Sequence, residues 1–176
     1  MGLFTLNKPA QKLYFLLVRQ ARKPIFYINY GVPDSLDGHF EMIVLHVVLI
    51  LRRLREEPNG RAFGDHLFEV LTSDLDRSLR DMGKGDMGVG KKVREMARGF
   101  YGRAEAYDRA LDGKENLEDV LIRNLFGTVS ASDQQVAAMA GYVRLALEKL
   151  QGVTGEKIMK TEILFPSPPP FMETID

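Results

Sequence analysis

Apolar residues recur three and four positions apart along nearly the whole chain, and no stretch alternates the way a half-buried strand must. The pattern predicts an all-α protein. A first helix is expected from about Pro9 to Arg22, burying Leu13, Tyr14, Leu17, Val18 and Ala21, with Pro9 in its first turn and Pro24 closing it. Ile25 to Tyr30 reads as an extended linker or a strand-like stub. A second helix opens at Asp34 or Ser35, runs to about Glu56 and stops at Pro58-Asn59-Gly60. Its Phe40–Leu51 segment is apolar nearly all round, which places it at the centre of a bundle.

The third helix, about Ala62 to Met82, carries Leu67, Leu71, Leu75, Leu79 and Met82 on one stripe. Glycines 83, 85, 88 and 90 predict a loop, and Val93, Met96, Ala97, Phe100, Ala104, Tyr107 and Leu111 mark the inner face of a fourth helix. A short fifth helix is expected near Asn116–Phe126, and a sixth from a Ser132–Gln135 cap to about Leu150. Phe165-Pro-Ser-Pro-Pro-Pro-Phe171 cannot be helical and is expected to lie extended over the bundle or in solvent. The expectation is a single-domain bundle of about six helices over residues 1–155, followed by an extended Pro-rich tail over 156–176.

A hydrophobic content of 45% with 27% charged residues belongs to a folding chain. Its 176 residues suit one core. The absence of cysteine excludes disulfides, thiol nucleophiles, zinc sites built on sulfur and iron-sulfur clusters held by the chain's own thiolates. A net charge of +0 argues against a general nucleic-acid coat, and no DNA partner is expected. The apolar run Met42–Leu51 is far short of the roughly twenty residues that span a bilayer, and neither a presequence nor a myristoylation pattern is evident, so a cytoplasmic location is expected.

Gly83-Lys84-Gly85-Asp86-Met87-Gly88 has dinucleotide-binding spacing, but such a loop needs a strand before it, and Ser73–Met82 reads as charged helix. The three histidines lack metal-ligand spacing, and no serine sits in a nucleophile elbow. No cofactor or catalytic set is therefore expected. Charge distribution is more informative. Lys8, Lys12, Arg19, Arg22 and Lys23 fall on one side of the first helix, a stripe suited to a solvated face, an anionic membrane surface or RNA. A second cluster, Lys91, Lys92, Arg94 and Arg98, is expected to open the fourth helix, where its charge opposes the helix dipole and suggests an anionic or polar partner.

Asp74-Leu-Asp-Arg-Ser-Leu-Arg-Asp-Met-Gly83, Gly85-Asp-Met-Gly-Val-Gly-Lys-Lys-Val-Arg-Glu-Met96, Phe100-Tyr-Gly-Arg103 and the upstream Pro33-Asp-Ser-Leu-Asp-Gly-His-Phe40 together resemble the ubiquinol-cytochrome c chaperone family. The resemblance implies a non-enzymatic assembly chaperone that binds newly made cytochrome b and assists assembly of the cytochrome bc1 complex. Mitochondrial members work with a small partner protein and the ribosome; the short chain resembles a bacterial member. Peripheral contact with the cytoplasmic face of the inner membrane is compatible with that role.

A chaperone for a membrane protein needs an exposed apolar surface beside this signature, for which adaptable Met side chains are well suited. Candidate client or partner contacts are Met82, Lys84, Asp86, Met87, Lys91, Lys92, Arg94, Arg98, Tyr101 and Arg103. Met96 and Phe100 read as core, whereas Tyr101 lies off the central apolar stripe. The alternative is a helical RNA- or ribosome-binding module, which requires the two basic clusters to form one continuous positive face.

Overall fold

A computed structural model describes residues 8–83 and 85–171 of the chain. Among these residues it contains eight helices and no strand: α1 (Lys8–Ala21), α2 (Pro24–Ile28), α3 (Leu36–Leu54), α4 (Gly60–Asp81), α5 (Asp86–Leu111), α6 (Leu117–Asn124), α7 (Asp133–Gln151) and α8 (Gly155–Met159). The helix boundaries have local causes. The Ser35 hydroxyl accepts the Gly38 amide at 3.1 Å to cap α3. Ser132 and Gln135 form a reciprocal capping box at the start of α7.

Helix α3 is the axis of the bundle and packs against α1, α4, α5, α7 and α8. Every residue from Phe40 to Ile50 is buried. Full burial of each large apolar side chain contributes about 1.5–3 kcal/mol, so this segment anchors the core. Helices α4 and α5 pack together over one side of α3, with α1 against the other flank of α4. Helix α6 bridges α5 and α7.

Three elements differ from the sequence expectation. Residues 24–28 form a helical turn, not an extended stub. Pro24 stops α1 and also occupies the first position of α2, where its fixed φ and missing N–H favour a helix start; fully buried Phe26 anchors the turn. Helix α5 starts at Asp86, so Gly88 and Gly90 are helical and the glycine loop is shorter than expected. Fully buried Val89 draws this turn into the core, overriding the roughly 1 kcal/mol that each glycine costs in a helix. An eighth helix, α8, follows α7, with Thr154 accepting the Lys157 amide as its cap and Ile158 fully buried.

Beyond α8 the chain becomes an extended strap across the bundle. Ile163 and Phe165 are buried, and Phe171 packs edge-on against Tyr30 with ring centroids 5.7 Å apart. The strap's carbonyls supply acceptors: Gln20 donates to Pro166 at 2.9 Å and Tyr30 donates to Pro169 at 2.7 Å.

Candidate functional site

Where the C-terminal half of α3, the start of α4 and the middle of α5 meet, they leave an open groove of about 390 Å³. Its floor is aromatic and aliphatic: Leu51, Phe68, Phe100 and Tyr101. The ring centroids of Phe68 lie 5.0 Å from Phe100 and 5.3 Å from Tyr101, separations at which aromatic pairs attract. Phe100 is buried, but Tyr101 is 63% exposed. Folding therefore leaves a large ring in water beside an apolar cleft.

Two glycines shape the wall. A Cβ on Gly60 would lie 1.9 Å from the Leu54 carbonyl oxygen, so only glycine lets α4 begin so close to α3. A Cβ on Gly64 would lie 2.8 Å from a Leu51 methyl group, and its absence lets Leu51 pack against α4. The rim is charged. Arg55 is held by Asp108, which also accepts Arg52 at 3.0 Å, while Arg52 reaches Asp112 at 2.6 Å. Arg61 and Asp65, one turn apart on α4, make no ion pair among the described residues.

On another side of α5 lies a polar cavity of about 360 Å³, bounded by the start of α3 and the end of α6. Its base is the Glu41–Arg103 ion pair: Arg103 Nε lies 2.6 and 2.7 Å from the two carboxylate oxygens, and its guanidinium covers Phe40 at 5.7 Å. Burial pushes the Glu41 carboxyl above its ordinary range, with Arg103 opposing the rise. The Arg103 guanidinium is stabilised in its charged form chiefly by the bond to Glu41. Asn124 Nδ2, also at this cavity, is buried without a hydrogen-bond partner.

The structure separates the sequence candidates. Lys91, Arg94 and Arg98 are exposed along one face of α5 and carry no ion pair among the described residues. Lys92 and Arg103 line the polar cavity instead. Because α5 begins at Asp86, Lys91 and Lys92 stand in its second turn, beyond the reach assumed in the dipole argument. Met82 is 58% exposed at the end of α4. Asp86 and Met87 belong to the first turn of α5, with side chains outside the described set, and Lys84 lies outside the described residues. In the N-terminal stripe, Lys8, Lys12, Arg19 and Arg22 are exposed, whereas Lys23 is half-buried at the start of α2. Sequence reasoning missed Phe68, Arg61 and the Gly60/Gly64 pair. The one available signal was the four-residue glycine spacing, which puts both on one helix face.

A buried polar relay lies opposite the groove. His46, fully buried on α3, contacts the Met42 carbonyl through Nδ1 at 2.7 Å and the Tyr142 hydroxyl through Nε2 at 2.7 Å. A carbonyl can only accept, so Nδ1 carries the proton and Nε2 accepts from Tyr142. The Tyr142 hydroxyl in turn accepts from Gln20 at 2.9 Å. Burial holds the imidazole neutral and lowers its pKa to about 4.

This architecture defines an all-helical bundle with an open aromatic groove on its surface. The chain belongs to the ubiquinol-cytochrome C chaperone family, whose pattern it matches over residues 29–165. It is similar to a crystal structure of the Cbp3 homolog from Brucella abortus, with a TM-score of 0.79 and 31% identity, covering 91% of this chain and 90% of that one. It is 24% identical over 154 residues to the mouse ubiquinol-cytochrome c reductase complex assembly factor 1, covering 86% of this chain and 52% of the relative. The Xenopus laevis protein of that name is 23% identical, covering 86% of this chain and 77% of its own length. This chain thus spans about half the length of the mouse relative.

Proposed function

We propose that this chain is an assembly chaperone for the cytochrome bc1 complex that binds newly made cytochrome b, holding an apolar segment of it in the α3–α4–α5 groove. The observation that carries this reading is Tyr101, left 63% exposed beside Phe68 and Phe100, with Phe100 and Tyr101 both in a stretch that resembles the family. An apolar cleft that remains open after folding is the surface a helical or extended apolar client needs. Family membership and the names of the vertebrate relatives supply the identity of the assembled complex.

No described helix is long and apolar enough to cross a membrane. The chain would meet its client at the cytoplasmic face of the inner membrane, with Lys8, Lys12, Arg19 and Arg22 available to anionic headgroups. The RNA- or ribosome-binding alternative draws less support. Helix α4 packs between α1 and α5 and carries exposed Asp65, Glu69 and Asp81, which interrupt a continuous positive face.

The test is affinity capture of the tagged chain from gently solubilised source cells, comparing wild type with Tyr101→Ser and with Lys91→Glu/Arg94→Glu/Arg98→Glu. Recovery of cytochrome b by wild type, reduced by Tyr101→Ser, supports the groove. Recovery of ribosomal proteins without cytochrome b would transfer the function to the basic surfaces.

A further inference from the structure

Charge is distributed unevenly along the apolar groove, and this restricts what its occupant carries. At one end stands Arg61, in the first turn of α4, exposed and without an ion-pair partner among the described residues. Arg55, on the same rim, is already engaged by Asp108. The α4 N-terminus adds positive potential at this end, where Asn59 provides no side-chain cap. One turn further along α4, Asp65 faces the same cleft, also without an ion pair. The apolar lining is Leu51, Phe68, Phe100 and Tyr101, with Phe68 one turn beyond Asp65 on α4.

An apolar guest that covers this floor removes water from the rim, and each rim charge then interacts more strongly with whatever the guest places opposite it. A guanidinium presents a planar fork that matches a carboxylate in two parallel hydrogen bonds, whereas a carboxylate placed over Asp65 is repelled. The two rim charges, one turn apart and opposite in sign, therefore select both the charge and the direction of the guest.

We infer that the groove takes an apolar segment bearing a carboxylate at its Arg61 end, docked in a single polarity with its apolar anchors on Phe68, Phe100 and Tyr101. This inference rests on the reading of the groove as the client site. It adds the acidic neighbour and the orientation, neither of which an apolar cleft alone supplies.

The test uses the full chain and three fluorescein-labelled host-helix peptides. Each carries a Leu-Phe-Leu face, with Glu, Gln or Lys two helical turns from the Phe, the spacing of Arg61 from Phe68 on α4, and binding is read by fluorescence anisotropy. The Glu peptide should bind wild type about three- to fivefold more tightly than the Gln peptide, the factor expected of one rim ion pair. Arg61→Glu should reverse the order so that the Lys peptide binds best. Asp65→Lys should tighten the Glu peptide, a gain that misfolding cannot produce. Equal affinity of all three peptides for wild type, with binding still lost in Tyr101→Ser, would overturn the charge inference and leave the groove reading standing. Binding unaffected by Tyr101→Ser, or absent for every peptide, would overturn both.

Discussion

Arg103 on α5 closes over Glu41 on α3, placing Nε within 2.7 Å of both carboxylate oxygens while the Glu41 side chain is only 7% exposed. Removing the cation leaves a buried, uncompensated carboxylate. Arg103→Ala is therefore expected to lose about 3–5 kcal/mol of stability at neutral pH. The loss has a definite pH sign. The folded-state pKa of Glu41 is already raised by burial and rises further without Arg103, so the folded variant holds a proton that the unfolded chain releases. The deficit should be full above that raised pKa and shrink as pH falls through it. Urea unfolding of both proteins across mildly acidic to neutral pH measures this; a deficit independent of pH would refute the assignment.

The His46 relay predicts a second pH dependence of opposite sign. The folded pKa is about 4 against 6.5 in the unfolded chain, so the unfolded chain takes up a proton first as pH falls. Stability from neutral burial should be complete above about pH 6.5 and decline toward pH 4, by roughly 3 kcal/mol for a single proton. His46→Gln, which cannot titrate, should show a shallower slope between pH 6.5 and 5. Tyr142→Phe, which leaves His46 Nε2 without its donor, should cost about 1–3 kcal/mol at neutral pH.

Adjacent aromatic residues of α5 should separate stability from binding. Phe100 is 3% exposed, and Phe100→Ala should cost about 3–5 kcal/mol. Tyr101→Ser should change the melting temperature little, because its ring is mostly in water, and under the proposed function it should reduce cytochrome b capture. Thermal melts alongside the capture assay distinguish the two. A large melting shift in Tyr101→Ser would place that ring in the core.

The glycine pair at the start of α4 gives a steric test. Gly60→Ala drives a methyl group into the rigid Leu54 carbonyl and should destabilise by several kcal/mol. Gly64→Ala meets only the flexible end of Leu51, which can turn away, so stability should fall by less than about 1.5 kcal/mol while the groove changes shape. Chemical denaturation of the two variants should show this order.

The helices were legible in the sequence wherever periodic leucines and a capping residue coincided, as at Ser35 and Ser132. The start of α5 is not legible in the sequence because glycines at 88 and 90 signal a loop locally, while the burial of Val89 that overrides them is tertiary. Pro24 is both a stop and a start, a dual meaning that only the buried Phe26 resolves. Tyr101 was identifiable because it falls off the apolar stripe, but Phe68 and Arg61 were not, since nothing in one helix's own pattern tells which residue of the next helix it will face. The same limit hid the partner of Arg103: Glu41 sits 62 positions away, within a run otherwise read as apolar.

The strap joins the two ends of the described chain. Pro9 accepts the Thr161 hydroxyl at 3.4 Å, and Gln20 meets the Pro166 carbonyl across a separation of 146 residues. Synthesis proceeds from the N-terminus, so α1 emerges long before the residues that complete its packing. It must wait, with the aromatic surface around Phe26 and His46 uncovered, until nearly all of the described chain has been made. Long-range closure of this kind is slow relative to local helix formation. The chain thus passes through an interval in which its own apolar surface remains unshielded, and its yield in the cell should depend on how quickly the strap follows.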